Sequence, residues 1–554
     1  MRYYGLFLWV IIAIAHWPEA NSATIVGSVI ADKDSPLRGA LVTLTSADGL
    51  HSETVFTAQD GSFRIDTKLL GTLTLRARRP LMRDVMRQLN VPSATARIAS
   101  TLKLEPLTRA QDTSDTLPAS AHFARIRFPS ELTHRQFQTD CLSCHQLGNP
   151  FTRAPRSAEQ WKAIVTLMLT YAGYSSRTHL QEYADALQRA FDGTPTKATE
   201  RTEMSDRALK ARILEWKLPG ASIAHDSEFS PADGNYYTVD QGIDSLYVLN
   251  PKTDTRLTIP LPDGGVPVGG RFAERGLPIP FGLTVRHGVH SLQFGPEGQL
   301  YMTGSIGGEI GVFDISSRNY TAHRIPGTAL YPHTLRFDRS GIAWFTIAQS
   351  NQIGRFDPRT HESKVIDLPR SMSHPDERQP LPYGIDVNPN DGSIWYSKLW
   401  AGKIGRIDPK SLQVTEYEPP MFGPRRLRFD ARGLLWIPGF GDGTITRLDP
   451  STMSYKSYPI PTLGGGEVEA PYAVAVNPDT QDVWITANMS DRVFRFIPGT
   501  ETFVVYPLPT RGTYFRDFFF PAKGRVCAPS SPMPPRPEVI EGGMDMIVCL
   551  ETND

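Results

Sequence analysis

The chain has 554 residues, 40% of them apolar and 21% charged, with 58 Lys+Arg against 58 Asp+Glu. That length exceeds one ordinary domain, and the apolar fraction is enough for buried cores. A formal net charge of zero supplies no basic field for nucleic acid or an anionic membrane surface, so neither is expected as a partner.

Residues 1–22 carry Arg2, an apolar run over 5–15, and the small residues Ala20 and Ser22. This predicts a signal peptide cut after Ser22 and a bacterial periplasmic or secreted location. The apolar run is too short to span a bilayer. No later segment approaches about 20 continuous apolar residues, so the mature chain is expected to lack a membrane span. Four cysteines are present. Cys141 and Cys144 belong to a motif described below. Cys527 and Cys549 remain, and in an oxidising compartment they read as a disulfide.

Residues 23–105 alternate apolar and polar in T-I-V-G-S-V-I-A, A-L-V-T-L-T-S, E-T-V-F-T-A and G-S-F-R-I-D-T, between turn signals such as A-D-G and Q-D-G. These are half-buried strands. The elements G-S-V (27–29), P-L-R-G-A-L-V-T-L (36–44) and Q-D-G-S-F-R-I (59–65) resemble carboxypeptidase regulatory-like domains. The resemblance implies a transthyretin-like β-sandwich, related to carbohydrate-binding folds and accessory in role. Residues 106–122, rich in Thr, Ser, Asp, Ala and Pro without periodicity, read as a linker.

A helical module is expected over 123–200, built around Cys141-Leu142-Ser143-Cys144-His145. C-x-x-C-H is the attachment pattern of a single covalent haem c: two thioethers to the vinyl groups, and the imidazole of His145 on the iron. Zinc would need two further ligands, and no second Cys pair lies nearby. Ser157 and Gln160 form a capping box that starts a helix, with Trp161, Ile164, Val165 and Met168 at i, i+3, i+4 and i+7. The motif, followed by W, V and M at these spacings, resembles the small cytochrome c domains attached to periplasmic dehydrogenases. That resemblance implies Met168 as the sixth ligand, with His179 and Met204 as rivals.

From residue 212 to 554 a unit of about 40–45 residues repeats, which is the propeller period. It is clearest in Y-P-H-T-L-R-F-D-R-S-G-I-A-W-F-T, then Q-I-G-R-F-D-P, then S-K-V-I-D-L-P, from Tyr331. Seven four-stranded units are expected, the last closed by the lone strand 213–219 so that no sheet edge stays open. The whole fold is therefore mostly β: a sandwich, a small helical cytochrome c module and a seven-bladed propeller. Cys527 falls where other blades carry Trp, and its bridge would pin the closing blade.

The repeats resemble the streptogramin (virginiamycin B) lyases. Aligned, they place one residue per blade at the head of the innermost strand: His225, His290, His333, Tyr383, Arg425, Tyr472 and Arg516. These should ring the channel mouth. The insertions 261–286, 370–382 and 530–543 should crowd the same face. The resemblance implies a catalytic His at His333, with His225 and His290 at equivalent positions, and a magnesium-binding Glu just after W-F-T. Val239, Gly304, Ile347, Lys398, Gly439, Ala487 and Pro529 stand there instead, which argues against lyase chemistry. A second metal held by the three histidines is the remaining cofactor expectation.

Three functions follow. The first is an electron-transfer haem protein or oxidoreductase. Its propeller binds a small molecule or polymer, and a redox partner protein is conceivable. The second is a lyase-like enzyme, and the third a non-catalytic binding or sensor protein.

Overall fold

The computed structural model describes residues 22–173, 179–198, 204–371 and 379–552. The signal peptide expectation lies outside them, apart from Ser22. The N-terminal sandwich consists of β1 (Ala23–Ile30), β2 (Leu41–Thr45), β3 (His51–Phe56), β4 (Ser62–Thr67), β5 (Gly71–Arg78), β6 (Val85–Val91) and β7 (Arg97–Lys103). One sheet has the order β4-β1-β7, and the other β3-β2-β5-β6. Period-two alternation sets which side chains are buried: in β4, Phe63, Ile65 and Thr67 point inward while Ser62, Arg64 and Asp66 face water. They pack with Ile25, Val42, Leu44 and Leu75 in one core.

The second sheet does not stop at the sandwich. β8 (Arg212–Lys217) pairs antiparallel with β3 on one side and with the C-terminal strand Met546–Glu551 on the other. Sandwich and closing blade thus share one eight-stranded sheet. Two strands that would each have left an open row of backbone donors and acceptors cover one another.

The propeller comprises six four-stranded antiparallel sheets and a closing blade. The closing blade takes Phe519–Ala522, Arg525–Ser530 and Met546–Glu551 from the C-terminus and β8 as its outer strand. Trp344, Trp395, Trp436 and Trp484 are buried in the second strands of their blades. Register puts Cys527 at the equivalent place, where it is disulfide-bonded to Cys549 across the strand pair.

Between sandwich and propeller lies the helical unit. The segment 106–122, read as a linker, carries α1 (Ala110–Asp115) and most of α2 (Ala119–Phe123). Small side chains let α2 approach the propeller closely: the Ser120 amide donates to the Met489 carbonyl, and its hydroxyl to Glu467. α3 (Glu131–Cys141) starts on a Ser130 cap, and α4 (Ala158–Tyr171) on the Ser157–Gln160 capping box. α5 (Leu180–Ala190) packs on α4. After it, Thr194 and Thr196 still bond the helical unit. By α6 (Asp206–Leu209) the chain has reached the flank of the sandwich, with Met204 and Leu209 against Gly39. Among the described residues no helix is long and apolar enough to cross a membrane.

The bridge closes a loop of 22 residues in sequence. A Cys527→Ala/Cys549→Ala variant should therefore lose about 3 kcal/mol of stability, mostly through a freer unfolded chain. Urea unfolding of variant and parent checks this.

Candidate functional site

In each blade the innermost strand carries one residue more than its neighbour. Pro332 pairs with Ile347 and Leu335 with Phe345, so three steps on one strand face two on the other. The same surplus occurs between Ala224 and Ser227, Val289 and Leu292, Pro382 and Ile385, and Pro471 and Ala473. It also occurs between Pro424 and Arg428, and between Phe515 and Phe519. These are β-bulges, which re-aim side chains. All seven aligned ring residues fall inside them, and in three blades the residue that follows, Asp226, Arg426 or Asp517, meets its counterparts beneath the ring.

Hydroxyls on the second strands hold the bulges. Thr346 Oγ1 accepts from the Thr334 amide and donates to the Tyr383 carbonyl of the next blade, at 3.1 and 3.0 Å. Thr303, Ser397 and Thr486 repeat the stitch to His333, Arg425 and Arg516. The T of W-F-T is thus a backbone staple between neighbouring ring positions.

The structure brings all seven ring side chains together, and each is buried. The His225 and His290 rings lie 3.6 Å apart, His290 and His333 4.0 Å, and His333 and Tyr383 4.0 Å. The Arg425 guanidinium sits 3.8 Å from the Tyr472 ring and 4.6 Å from that of Tyr383. Arg516 is 5.6 Å from Tyr472, whose hydroxyl closes the circle 3.4 Å from His225 Nε2. One step deeper, Arg426 pairs with Asp226 at 2.8 Å and Asp517 at 3.2 Å, and Asp517 also takes Arg336 and Arg428. Sequence reading missed this layer, although the doublets His225-Asp226 and Arg425-Arg426 were its signal.

Burial pushes all three imidazoles well below the usual histidine range, and nearby guanidiniums add to it, so they are neutral at pH 7. Burial alone would raise the Tyr472 phenol. Arg426, Arg516 and Arg425 together outweigh that, and the group lies below the usual tyrosine value. Among the described residues no three His, Cys, Asp or Glu side chains converge as metal ligands. The imidazoles of the expected second metal site face one another ring to ring.

Strand register moves two of the positions after the W-F-T triplet. Asp240 and Ser530, not Val239 and Pro529, pair as Ile347 does. A carboxylate therefore does stand there. Asp240 is committed to the backbone amides of Ser222, Ile223 and Gly242, at 2.8, 3.0 and 2.8 Å.

The loop that ends α3 sits directly over this ring. Arg425 Nη2 donates to the Ser143 carbonyl at 3.1 Å, Arg516 Nη2 to Cys144 at 3.4 Å, and Tyr514 to Leu142. Gln146 reaches down to Asp491 and the Thr513 carbonyl. Cys141 and Cys144 are not disulfide-bonded, and burial raises both thiols. A cavity opens between Cys144 and Tyr171 on the helical side and the ring histidines on the other. Each long insertion contributes one wall residue: Phe281, Leu381 and Met533. Met168 is 38% exposed and lies outside that lining. His179 bonds Glu182 at the start of α5, and Met204 packs at the sandwich.

Comparisons with known proteins fit this architecture. Residues 24–104 match the carboxypeptidase regulatory-like domain. No curated protein matches the chain. A streptogramin B lyase structure is 19% identical, with 63% of this chain covering 100% of that one at a TM-score of 0.50. Virginiamycin B lyase from Staphylococcus aureus is 18% identical over 62% and 99% of the two chains, TM-score 0.49. Hydrazine synthase from Kuenenia stuttgartiensis is 13% identical over 56% and 93%, TM-score 0.43. The streptogramin B lyase similarity shows the fold alone.

Two outcomes are expected. Thr346→Val removes a hydroxyl that serves two buried backbone groups, and should cost about 1–3 kcal/mol in urea unfolding. The second concerns pH. A histidine whose folded pKa is depressed contributes stability that is present above pH 6.5 and lost as pH falls, up to about 1.4 kcal/mol per unit. Glu228, raised by burial to about 8, and Asp386, raised to about 6, act in the opposite sense. The test is therefore a difference: between pH 6.5 and 5, His290→Asn should lose less stability than the parent by about one proton's worth.

Proposed function

We propose that the chain is an exported c-type haem protein, which exchanges electrons with a molecule bound at the propeller's ring face. The observation that carries this reading is the seat of the C-x-x-C-H loop, whose carbonyls are bonded to ring arginines beside a cavity.

The residues present fit a haem. Cys141 and Cys144 are free thiols at the C-terminal end of α3. His145 Nδ1 bonds the Gln146 carbonyl at 3.0 Å, which assigns the proton to Nδ1 and leaves Nε2 as the metal-binding nitrogen. Phe281, Leu381, Leu399 and Trp400 make the cavity largely apolar. Cys141 and Cys144 would hold the group by thioethers, and His145 would bind its iron. Bound there, a haem supplies one-electron chemistry. As a second protein ligand to the iron, Met168 is the candidate from sequence, and Met533, on the cavity wall, the candidate from structure. The ring would hold the electron donor or acceptor, and a redox partner protein would dock elsewhere.

A second reading is a lyase-like enzyme with His333 as its base. It rests on a neutral imidazole in the cavity wall, and the Asp240 arrangement leaves it without the expected metal ligand. A non-catalytic binding or sensor protein is the third.

Denatured protein should keep its haem, and Cys141→Ala/Cys144→Ala should abolish haem staining. An unmodified polypeptide mass in exported protein would end the haem reading. A thioether ligand raises the reduction potential. Redox titration should therefore find a lowered potential in only one of Met168→Ala and Met533→Ala, and that residue is the ligand.

A further inference from the structure

Three guanidiniums crowd the ring, and only one is neutralised. Arg426 has Asp226 and Asp517. Arg425 and Arg516 are as deeply buried, yet their hydrogen bonds go to neutral oxygens: Ser143 O and Tyr383 Oη for the first, Cys144 O and Ser531 O for the second. Among the described residues Nε and Nη1 of Arg425 and Nε of Arg516 have no hydrogen-bond partner, as is true of Nε and Nη2 of Arg426, so the difference between them lies in the carboxylates. The carboxylate of Asp545, close enough to feel Arg516, is bonded to the Ala224 amide. Arginine does not shed its proton, so among the described residues two buried cations stand without a carboxylate in ion-pair contact, at a cost that a bound anion would offset. Arg516 lines the cavity under Cys144, and the walls opposite it include Phe281, Leu381 and Trp400.

We propose that this cavity is a carboxylate site: it takes an organic acid with an apolar or aromatic body, the acid group against Arg516, the ring arginine that lines it. The proposal rests on the reading that the ring face binds a small molecule, and names its chemical class. Charge-assisted hydrogen bonds in a dry site give arginine its preference for carboxylates over neutral isosteres. The carboxylate has two sources, a propionate of a haem attached at Cys141 and Cys144, or a free acid.

Benzoate and its neutral isostere benzamide separate these by calorimetric titration of the full chain as isolated and of Cys141→Ser/Cys144→Ser. Benzoate should bind at least one form, with benzamide at least tenfold weaker. Binding to the isolated protein identifies a free acid as the ligand. Binding only to the double variant identifies a haem propionate as the occupant. Arg516→Gln should reduce benzoate affinity at least tenfold, and Arg516→Lys, which keeps the charge, less. Equal binding of benzoate and benzamide overturns the carboxylate site while leaving a small-molecule cavity. Binding of neither overturns both. Unchanged affinity in a folded Arg516→Gln overturns the site as well. Should that variant not fold, the benzoate–benzamide comparison on the parent decides.

Discussion

At the head of every innermost strand one surplus residue accompanies a ring side chain at the propeller axis, and in three blades a second, charged side chain beneath it. A regular strand would send the second of each pair between the blades. The bulge makes possible a ring of His225, His290, His333, Tyr383, Arg425, Tyr472 and Arg516, and just beneath it the Asp226–Arg426–Asp517 layer. The hydroxyls of Thr303, Thr346, Ser397 and Thr486 stabilise this geometry by satisfying a bulge amide and a neighbouring ring carbonyl at once. Four blades therefore position the backbone of a neighbour's ring residue.

Such a ring concentrates polar groups where water is scarce. Packing neutral imidazoles against one another at 3.6 and 4.0 Å is tolerable, since none carries charge. Buried guanidiniums demand more. The deeper pairs neutralise Arg426, whereas Arg425 and Arg516 are partly satisfied by carbonyls of the loop Leu142–Cys144. Docking of the helical unit and the electrostatics of the ring are thus one interaction seen from two sides. The continuous core running from Phe137, Trp161 and Tyr183 to Phe272, Tyr383 and Met489 supplies the apolar part of the same interface.

The covalent path between these parts is longer than their proximity suggests. The chain leaves the helical unit on the ring face, returns along the flank of the sandwich, and enters the closing blade through β8. There β3 covers β8's outer edge, so sandwich and propeller are locked by backbone hydrogen bonds. The position of the sandwich follows from strand pairing, and its place beside the propeller needs no sequence signal beyond two compatible edges.

Local regularities were legible without coordinates. Period-two strands, the Ser157–Gln160 box, C-x-x-C-H and the blade repeat are short-range patterns, and repetition identified the seven ring residues by alignment alone. Where the copy was degenerate, alignment slipped by one: Asp240 and Ser530 were legible only from strand register, because a bulge hides its surplus residue in sequence. The helices α1 and α2 escaped because they have no apolar periodicity of their own: α2 is held by contact with the propeller, and α1 by bonds from Ser114 and Asp115 to the rest of the helical unit. Met168 lay at the right helical spacing yet faces out, while Met533 reaches the cavity from a loop of the closing blade, far away along the chain. Sequence determined which residue types each blade presents. Only the tertiary structure decided that two arginines would share a buried axis without carboxylates, because charge balance is set by neighbours in space.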